Sequence, residues 1–454
     1  MPKRPPKNTI PIERHIVVVG AGPKAAALAA KARVLQESDL GTIKLTIIER
    51  NTLAANWSGE AGFTDGHCFL GTSPEKDVGF PYDSIYGTKI NKAMLQYSWQ
   101  AFKILGTVPL YGDWIDRGRL QPTHKEWSRY IAWVLQLSAS DRIKIWRGWE
   151  VVGVQPTEEA TLLITVKRIR GDKVKLITAD GIVLTGPGEP LQLERTPSEP
   201  KNRIFDGRSY WWNISEFRDL SRKTESHRIA LIGAGETAAS IALSLLDITS
   251  SHDGPVLNID IINQQGTIFT RGESYNENRL FTHPGQWRQL VEPIRNEIIR
   301  RTDRGVFSPA AQVRLSQSER IKTIPGRVIS LEDAGRQIDV HLKIGNPPDT
   351  EVRYRYDKVI LALGFDAWGS IQMFPEKLRP NTETSEQRKV LQSGIDEYLR
   401  LPFNSVEALS GKLPNVHVPM LAGLSQGPGF PNLSCLGHTA DRILSLYIPS
   451  ALKK

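Results

Sequence analysis

Two short stretches carry the residue types and spacing of a phosphate-binding turn. The first is Ile16 to Ala30, IVVVGAGPKAAALAA, where a β-branched run stops at Gly20-Ala21-Gly22 and passes through Pro23 into an alanine-rich helix. The second is Arg228 to Ser244, RIALIGAGETAASIALS, where Gly233-Ala234-Gly235 leads into Glu236 and Thr237. In each, the first glycine allows a tight turn and the next lets backbone approach a pyrophosphate. A small residue, Ala25 in the first copy, keeps helix close to strand. One such pattern is weak evidence, because many turns hold two glycines. Two copies, each with a β-run before it and a small-residue helix after it, are strong. They point to a flavin and a nicotinamide dinucleotide in one chain.

The strand after each turn should carry the residue that reads the ribose. Ile43 to Ile48 ends at Glu49, an acid placed to hydrogen-bond the ribose of an adenine dinucleotide. Leu257 to Ile262 ends instead at Asn263, so a 2′-phosphate meets no carboxylate there, and Arg271 is a candidate to pair with it. NADPH is therefore expected over NADH at the second turn.

Further elements must position these turns. Asn56 to Tyr82 is rich in Gly, Ser, Thr and Pro and reads as a long loop, a common place for a site. Trp127 to Leu137 reads as a helix with Trp127, Tyr130, Ile131, Val134 and Leu135 on its core face. Residues 161–185 read as strands, and the proline-spaced run 186–200 as a crossing between domains. Lys358 to Phe365 reads as a buried strand returning the chain to the flavin domain. Beyond it, the loop Leu424 to Ser434 can bring backbone amides beside a flavin, before a closing helix from Leu436. The expected class is α/β, with two Rossmann-like domains and the NADPH domain inserted into a split FAD domain. The expected boundaries are a mobile arm at 1–14, the first FAD part at 15–212, the NADPH domain at 213–354, and the second FAD part with substrate loops at 355–454.

Composition narrows the classes. The chain has 454 residues, 40% hydrophobic and 24% charged, which suits an ordinary globular protein of several domains. Its net charge of +9 is scattered rather than clustered, with no helix-turn-helix or zinc-finger spacing, so no nucleic-acid partner is expected. The N-terminal stretch resembles a signal peptide, but Glu13, Arg14 and Lys24 interrupt it and the dinucleotide fold accounts for its apolar run. No apolar run reaches membrane-span length. Cys68 and Cys435 lie far apart and form no CxxC, which disfavours a disulfide framework, a metal site and a dithiol reductase. A reducing cytoplasm is the expected location, and self-association stays open.

Several longer motifs then give a more specific indication. They are Ala55-Asn56-Trp57, Leu70 to Tyr82 (LGTSPEKDVGFPY), Trp114 to Arg119 (WIDRGR), Gly233 to Ser240 (GAGETAAS), Arg301 to Ser308 (RTDRGVFS) and Gln426 to Leu436. In these the chain resembles the flavin-dependent N-hydroxylating monooxygenases that act on lysine or ornithine side-chain amines, most of all the lysine N6-hydroxylating branch of mycobactin-type siderophore pathways. The resemblance runs from about Ile16 to Ile443, with gaps near 155–205 and 365–410.

The resemblance implies FAD at the first turn and NADPH at the second, with oxygen adding to the reduced flavin as a C4a-hydroperoxyflavin that a neutral substrate amine attacks. It implies that Lys76 pairs with the substrate α-carboxylate and that Asn278 holds the substrate near the flavin. Asp303 stands where ornithine enzymes of the family carry asparagine, and as a substrate-binding carboxylate it could meet the substrate's α-ammonium or a longer amine. Trp57 matches a tryptophan near the flavin, and Asn432, Leu433 and Ser434 fall in the loop beside it. Gly71 departs from the family, many of whose members place glutamine there. No protein nucleophile is expected, because the cofactors carry the chemistry. A lysine amine has an unperturbed pKa of about 10.4, so the site must desolvate it to obtain its nucleophilic form.

The leading expectation is thus NADPH- and O2-dependent N-hydroxylation of L-lysine, for a siderophore or other natural product. Ornithine or a diamine is the nearest rival. A different two-dinucleotide oxygenase or reductase, and a cofactor-bound scaffold that does not turn over, are the others.

Overall fold

The computed structural model describes residues 13–107, 110–197, 202–223, 225–250, 257–302, 305–345, 350–402 and 415–448. The β-branched run before each glycine turn is the middle strand of a five-stranded parallel sheet. In the first sheet the order is Asn415–His417, Gly181–Leu184, Arg14–Val19, Ile43–Glu49, Ile143–Arg147. In the second it is Ile321–Pro325, Leu257–Asn263, His227–Ile232, Lys358–Leu361, Ile204–Asp206. A turn leaving the middle strand at its carboxyl end opens onto the crevice where open α/β sheets bind their ligands.

The two units repeat each other closely. Each inserts a three-stranded antiparallel sheet two parallel strands after its middle strand: Trp149–Pro156, Leu162–Arg168 and Val174–Ala179 in the first, Arg327–Asp333, Ile338–Ile344 and Thr350–Tyr356 in the second. An aspartate ends each excursion and ties it to the middle strand. The His15 amide donates to Asp180 Oδ2 at 2.7 Å, and the Arg228 amide to Asp357 Oδ2 at 2.8 Å.

The pairing corrects one expectation. Lys358–Leu361 does not return the chain to the first sheet; it pairs in parallel with His227–Ile232. Ile204–Asp206, expected in the first FAD part, is the edge strand beside it. A short, fully buried apolar strand carries no sequence mark of the sheet it joins. The chain rejoins the first sheet at Asn415–His417, so that unit is split and the second is inserted into it. Of the expected N-terminal arm, residues 1–12 lie outside the described residues, and the first strand already begins at Arg14.

The helix Pro23–Glu37 starts with proline at its first turn, where a missing N–H costs nothing. Ala25 to Ala30 are wholly buried, so small side chains let this helix lie close to the sheet and to the helices His124–Ser138 and Leu436–Ser445. Lys31 on this helix meets Asp441 on the last at 2.6 Å, both side chains only 2% exposed. Removing one partner of such a pair leaves an uncompensated buried charge and costs about 3–5 kcal/mol. The core face expected for His124–Ser138 is buried as read. Among the described residues no helix is long and apolar enough to cross a membrane, and no cluster of His, Cys, Asp or Glu suits a metal ion.

Candidate active site

At the first turn the Gly20 amide donates to the Ile48 carbonyl at 2.8 Å, and the Gly22 carbonyl accepts the first bond of the helix, from Ala26, at 3.0 Å. The second turn repeats this with Gly233 to Ile262 at 2.9 Å and Ala239 to Gly235 at 3.0 Å. Gly20 and Gly233 need positive φ, +95° and +127°, and sit against their own sheets. A Cβ on Gly20 would meet Thr185 Oγ1 at 2.9 Å, and one on Gly233 would collide with the Ala362 carbonyl. Gly22 and Gly235 are the opposite: a Cβ on either meets nothing within 4 Å. Both turns therefore present bare backbone to open space, and the residues present fit a dinucleotide pyrophosphate at each.

Glu49 and Asn263 stand at matching strand ends. Glu49 is buried, and its carboxylate accepts from the Ala21 amide at 2.8 Å and the Asn51 amide at 2.7 Å. Asn263 Oδ1 accepts from the Gln265 amide at 3.0 Å, while its buried Nδ2 has no partner among the described residues. An unpaired buried donor costs about 1–3 kcal/mol unless something else accepts from it.

The loop 70–82 is shaped by Asp77, which accepts from the Gly79 amide at 3.0 Å, the Tyr82 hydroxyl at 2.8 Å and the Trp99 amide at 2.9 Å. Burial pushes its carboxyl up to about 6, against the pull of those donors. Lys76, next to it, reaches across to the second unit, where Nζ donates to Asn278 Oδ1 at 2.6 Å. Asn278 is held in that orientation because its Nδ2 donates to the carbonyls of Glu273 and Ser274. A capping box between Ser274 and Glu277 fixes the start of its helix, Tyr275–Thr282. Burial, then the charge of Arg271, lowers the Lys76 pKa, and Glu273 partly restores it. The loop and the second turn also touch, since a Cβ on Gly71 would lie 3.3 Å from Glu236 Oε2.

Trp57 packs edge-on against His124, ring centroids 5.0 Å apart, and burial lowers His124 to about 4, which keeps it neutral. Ala54 donates to the Ala21 carbonyl at 3.0 Å, so the Trp57 segment is anchored on the first turn. The loop holding Asn432, Leu433 and Ser434 is tied to the same place by Lys24, whose buried Nζ donates to the Pro431 carbonyl at 2.7 Å. Sequence reading passed over Lys24, although a lysine directly after Pro23 in an alanine helix was a signal. Gln426 is a second omission: its Oε1 accepts from Arg288 at 2.9 Å and Arg442 at 2.7 Å, joining the units. Thr237 sits at the start of its helix with Cγ2 facing Gly207. Asp303 lies outside the described residues. Cys68 and Cys435 are free, and burial pushes both thiols up to about 12.

Residues 110–367 match the model of the L-lysine 6-monooxygenase/L-ornithine 5-monooxygenase family. The L-lysine N6-monooxygenase MbtG of Mycobacterium sp. (strain MCS) is 35% identical over 94% of this chain and 94% of its own. The chain belongs to this family. Its members among solved structures share the fold. The lysine monooxygenase NbtG from Nocardia farcinica aligns over 95% of this chain and 99% of its own, at 33% identity and a TM-score of 0.74. An ornithine N-hydroxylase from Kutzneria sp. 744 aligns over 96% and 99% at 16% identity, with a TM-score of 0.72, which speaks for the fold alone. Lys76 and Asn278 are brought together from opposite units and form part of the seam between them.

Proposed function

We propose that this chain catalyses the NADPH- and O2-dependent N-hydroxylation of the side-chain amine of L-lysine, with FAD at the first glycine turn and NADPH at the second. The observation that carries the reading is the Lys76–Asn278 pair, a cation from the first unit locked onto an amide from the second. A lysine is a compact point charge suited to a carboxylate, and the likeness to MbtG over 94% of the chain supports an amino-acid substrate.

Gly20, Gly22, Pro23 and Ala25 would hold the FAD pyrophosphate, and Glu49 its ribose, with Trp57 and Asn432-Leu433-Ser434 nearer the ring. Gly233, Gly235 and Thr237, with the backbone amide rather than the carboxylate of Glu236, would hold the NADPH pyrophosphate, and Asn263 would stand at its ribose. Bound FAD, reduced by NADPH, supplies the activated oxygen that the amine receives. The protein's task is to orient and to exclude water. Lys76 and Asn278 fix the amino-acid head, so the side-chain amine extends toward the flavin site. Loss of solvent there favours the neutral amine over an ammonium whose pKa is about 10.4 in water. The need for NADPH makes the cytoplasm the expected location, and the product is an N-hydroxyamino acid suited to a hydroxamate siderophore.

The test is an assay of the purified protein with L-lysine, L-ornithine and 1,5-diaminopentane, following NADPH oxidation and hydroxylamine in parallel. L-lysine should give the highest kcat/KM and near-stoichiometric hydroxylamine. NADPH oxidation without hydroxylamine from any amine would remove the reading. Lys76→Ala should raise the L-lysine KM about 10- to 100-fold, as loss of a charged hydrogen bond does, while amine-free NADPH oxidation stays unchanged.

A further inference from the structure

Arg271 is the residue at the seam whose surroundings fit poorly with reading a 2′-phosphate. Its guanidinium is largely buried, with Nη1 4.0 Å from Glu236 Oε1. Glu236 directly follows Gly235, so Arg271 faces the pyrophosphate end of the turn rather than the strand end at Asn263. The guanidinium also lies over the Phe281 ring, on the helix that carries Asn278 one turn earlier. Its backbone amide donates to the Phe307 carbonyl at 2.8 Å, which fixes the base of the side chain. Arg271 thus packs on the helix to which Lys76 is hydrogen-bonded, and its charge adds to burial in lowering the Lys76 pKa.

Two cations that flank one partly buried helix repel each other, and both favour an anion placed between them. A phosphate dianion gains from Arg271 but is repelled by Glu236. A zwitterionic α-amino-acid head meets both signs at once: its carboxylate faces the cations and its α-ammonium faces Glu236.

We propose that Arg271 is a second anchor for the substrate carboxylate beside Lys76, and that Glu236 positions Arg271 and receives the α-ammonium, so that the seam selects free α-amino acids. This rests on the amine-hydroxylating reading given above. Arg271 is suited to the task because its planar guanidinium can grip both carboxylate oxygens.

The test is steady-state kinetics of Arg271→Met, Arg271→Lys and Glu236→Gln with L-lysine, Nα-acetyl-L-lysine and 1,5-diaminopentane, measuring hydroxylamine. Arg271→Met should raise the L-lysine KM about 10- to 100-fold. The NADPH KM should stay within about twofold, and kcat/KM for 1,5-diaminopentane should not change, because that amine has no carboxylate. Arg271→Lys should recover part of the loss and keeps the test usable if the methionine variant does not fold. Glu236→Gln should narrow the preference for L-lysine over its Nα-acetyl form. A raised NADPH KM with an unchanged L-lysine KM would overturn the proposal and return Arg271 to the phosphate. If the wild-type protein hydroxylates no amine, the functional reading and this inference fall together. If it hydroxylates L-lysine and Arg271→Met leaves that KM alone, only this inference falls.

Discussion

At the end of the second strand one unit carries Glu49 and the other Asn263, in otherwise matching surroundings. Each accepts from the amide two residues further on, Asn51 at 2.7 Å and Gln265 at 3.0 Å. They differ in what remains. Glu49 turns its other oxygen to the Ala21 amide of the glycine turn, whereas Asn263 has a buried Nδ2 with no partner among the described residues. A carboxylate offers only acceptors, which suits ribose hydroxyls and repels a phosphate. An amide nitrogen offers a donor, which suits an anion. On the proposed reading, one residue type at one repeated position would give the same fold two nucleotide preferences.

The largest effects should come from the glycines that face protein. Gly233→Ala combines a φ of +127° with a collision against a carbonyl that cannot rotate away. It should cost about 3–5 kcal/mol, read from chemical unfolding, as the sum of strain and overpacking. Gly20→Ala meets a hydroxyl side chain, Thr185 Oγ1, that can yield, and should cost about half as much. Equal losses would mean that the turns are not strained in the way described.

Asn263→Asp should raise the NADPH KM about 10- to 100-fold by placing a carboxylate near the 2′-phosphate, while the NADH KM changes little. An unchanged ratio of the two would remove Asn263 from cofactor choice. Glu49→Gln should weaken FAD retention about tenfold, because an amide cannot accept at both positions. Retained flavin after dialysis is the readout.

The smallest effect concerns Lys24, whose position in the second turn is taken by Thr237. Burial lowers its pKa from 10.5 to about 8. As pH rises from about 8 to 10, the unfolded chain keeps a proton here that the folded protein sheds, so this lysine's contribution to stability increases with pH. Relative to Lys24→Met, the wild type should gain up to about 1 kcal/mol of unfolding free energy per pH unit in that window. A parallel pH profile for the two proteins would contradict the lowered pKa.

Much of this comparison was legible in the residues. Both turns, their strands and the ends at Glu49 and Asn263 follow from β-branched runs that stop at glycine. The core face of His124–Ser138 follows from helical spacing. The repeated Asp180 and Asp357 ties were not legible, because segments of unequal length between the two parallel strands after each middle strand, 50–142 against 264–320, give them different spacings from their turns. Nor was the sheet of Lys358–Leu361, whose apolar side chains suit either partner. Lys76 and Asn278 were legible only through the family resemblance, since residues so distant in sequence show no local sign of contact. The neighbours of Arg271 needed the fold itself, which brings Glu236 and Phe281 to it.

The central claim, that the two turns hold different dinucleotides, is tested most directly on the glycines that face open space. Gly22→Ala and Gly235→Ala meet no protein atom within 4 Å, so both should unfold like the wild type and report on ligands alone. The measurement is flavin content and NADPH KM for the two variants side by side. Gly22→Ala should lose most of its flavin on dialysis, and once resupplied with FAD show the wild-type NADPH KM. Gly235→Ala should keep its full flavin and show an NADPH KM raised by about tenfold or more. Flavin loss from Gly235→Ala, or an NADPH KM raised by Gly22→Ala alone, would contradict the assignment.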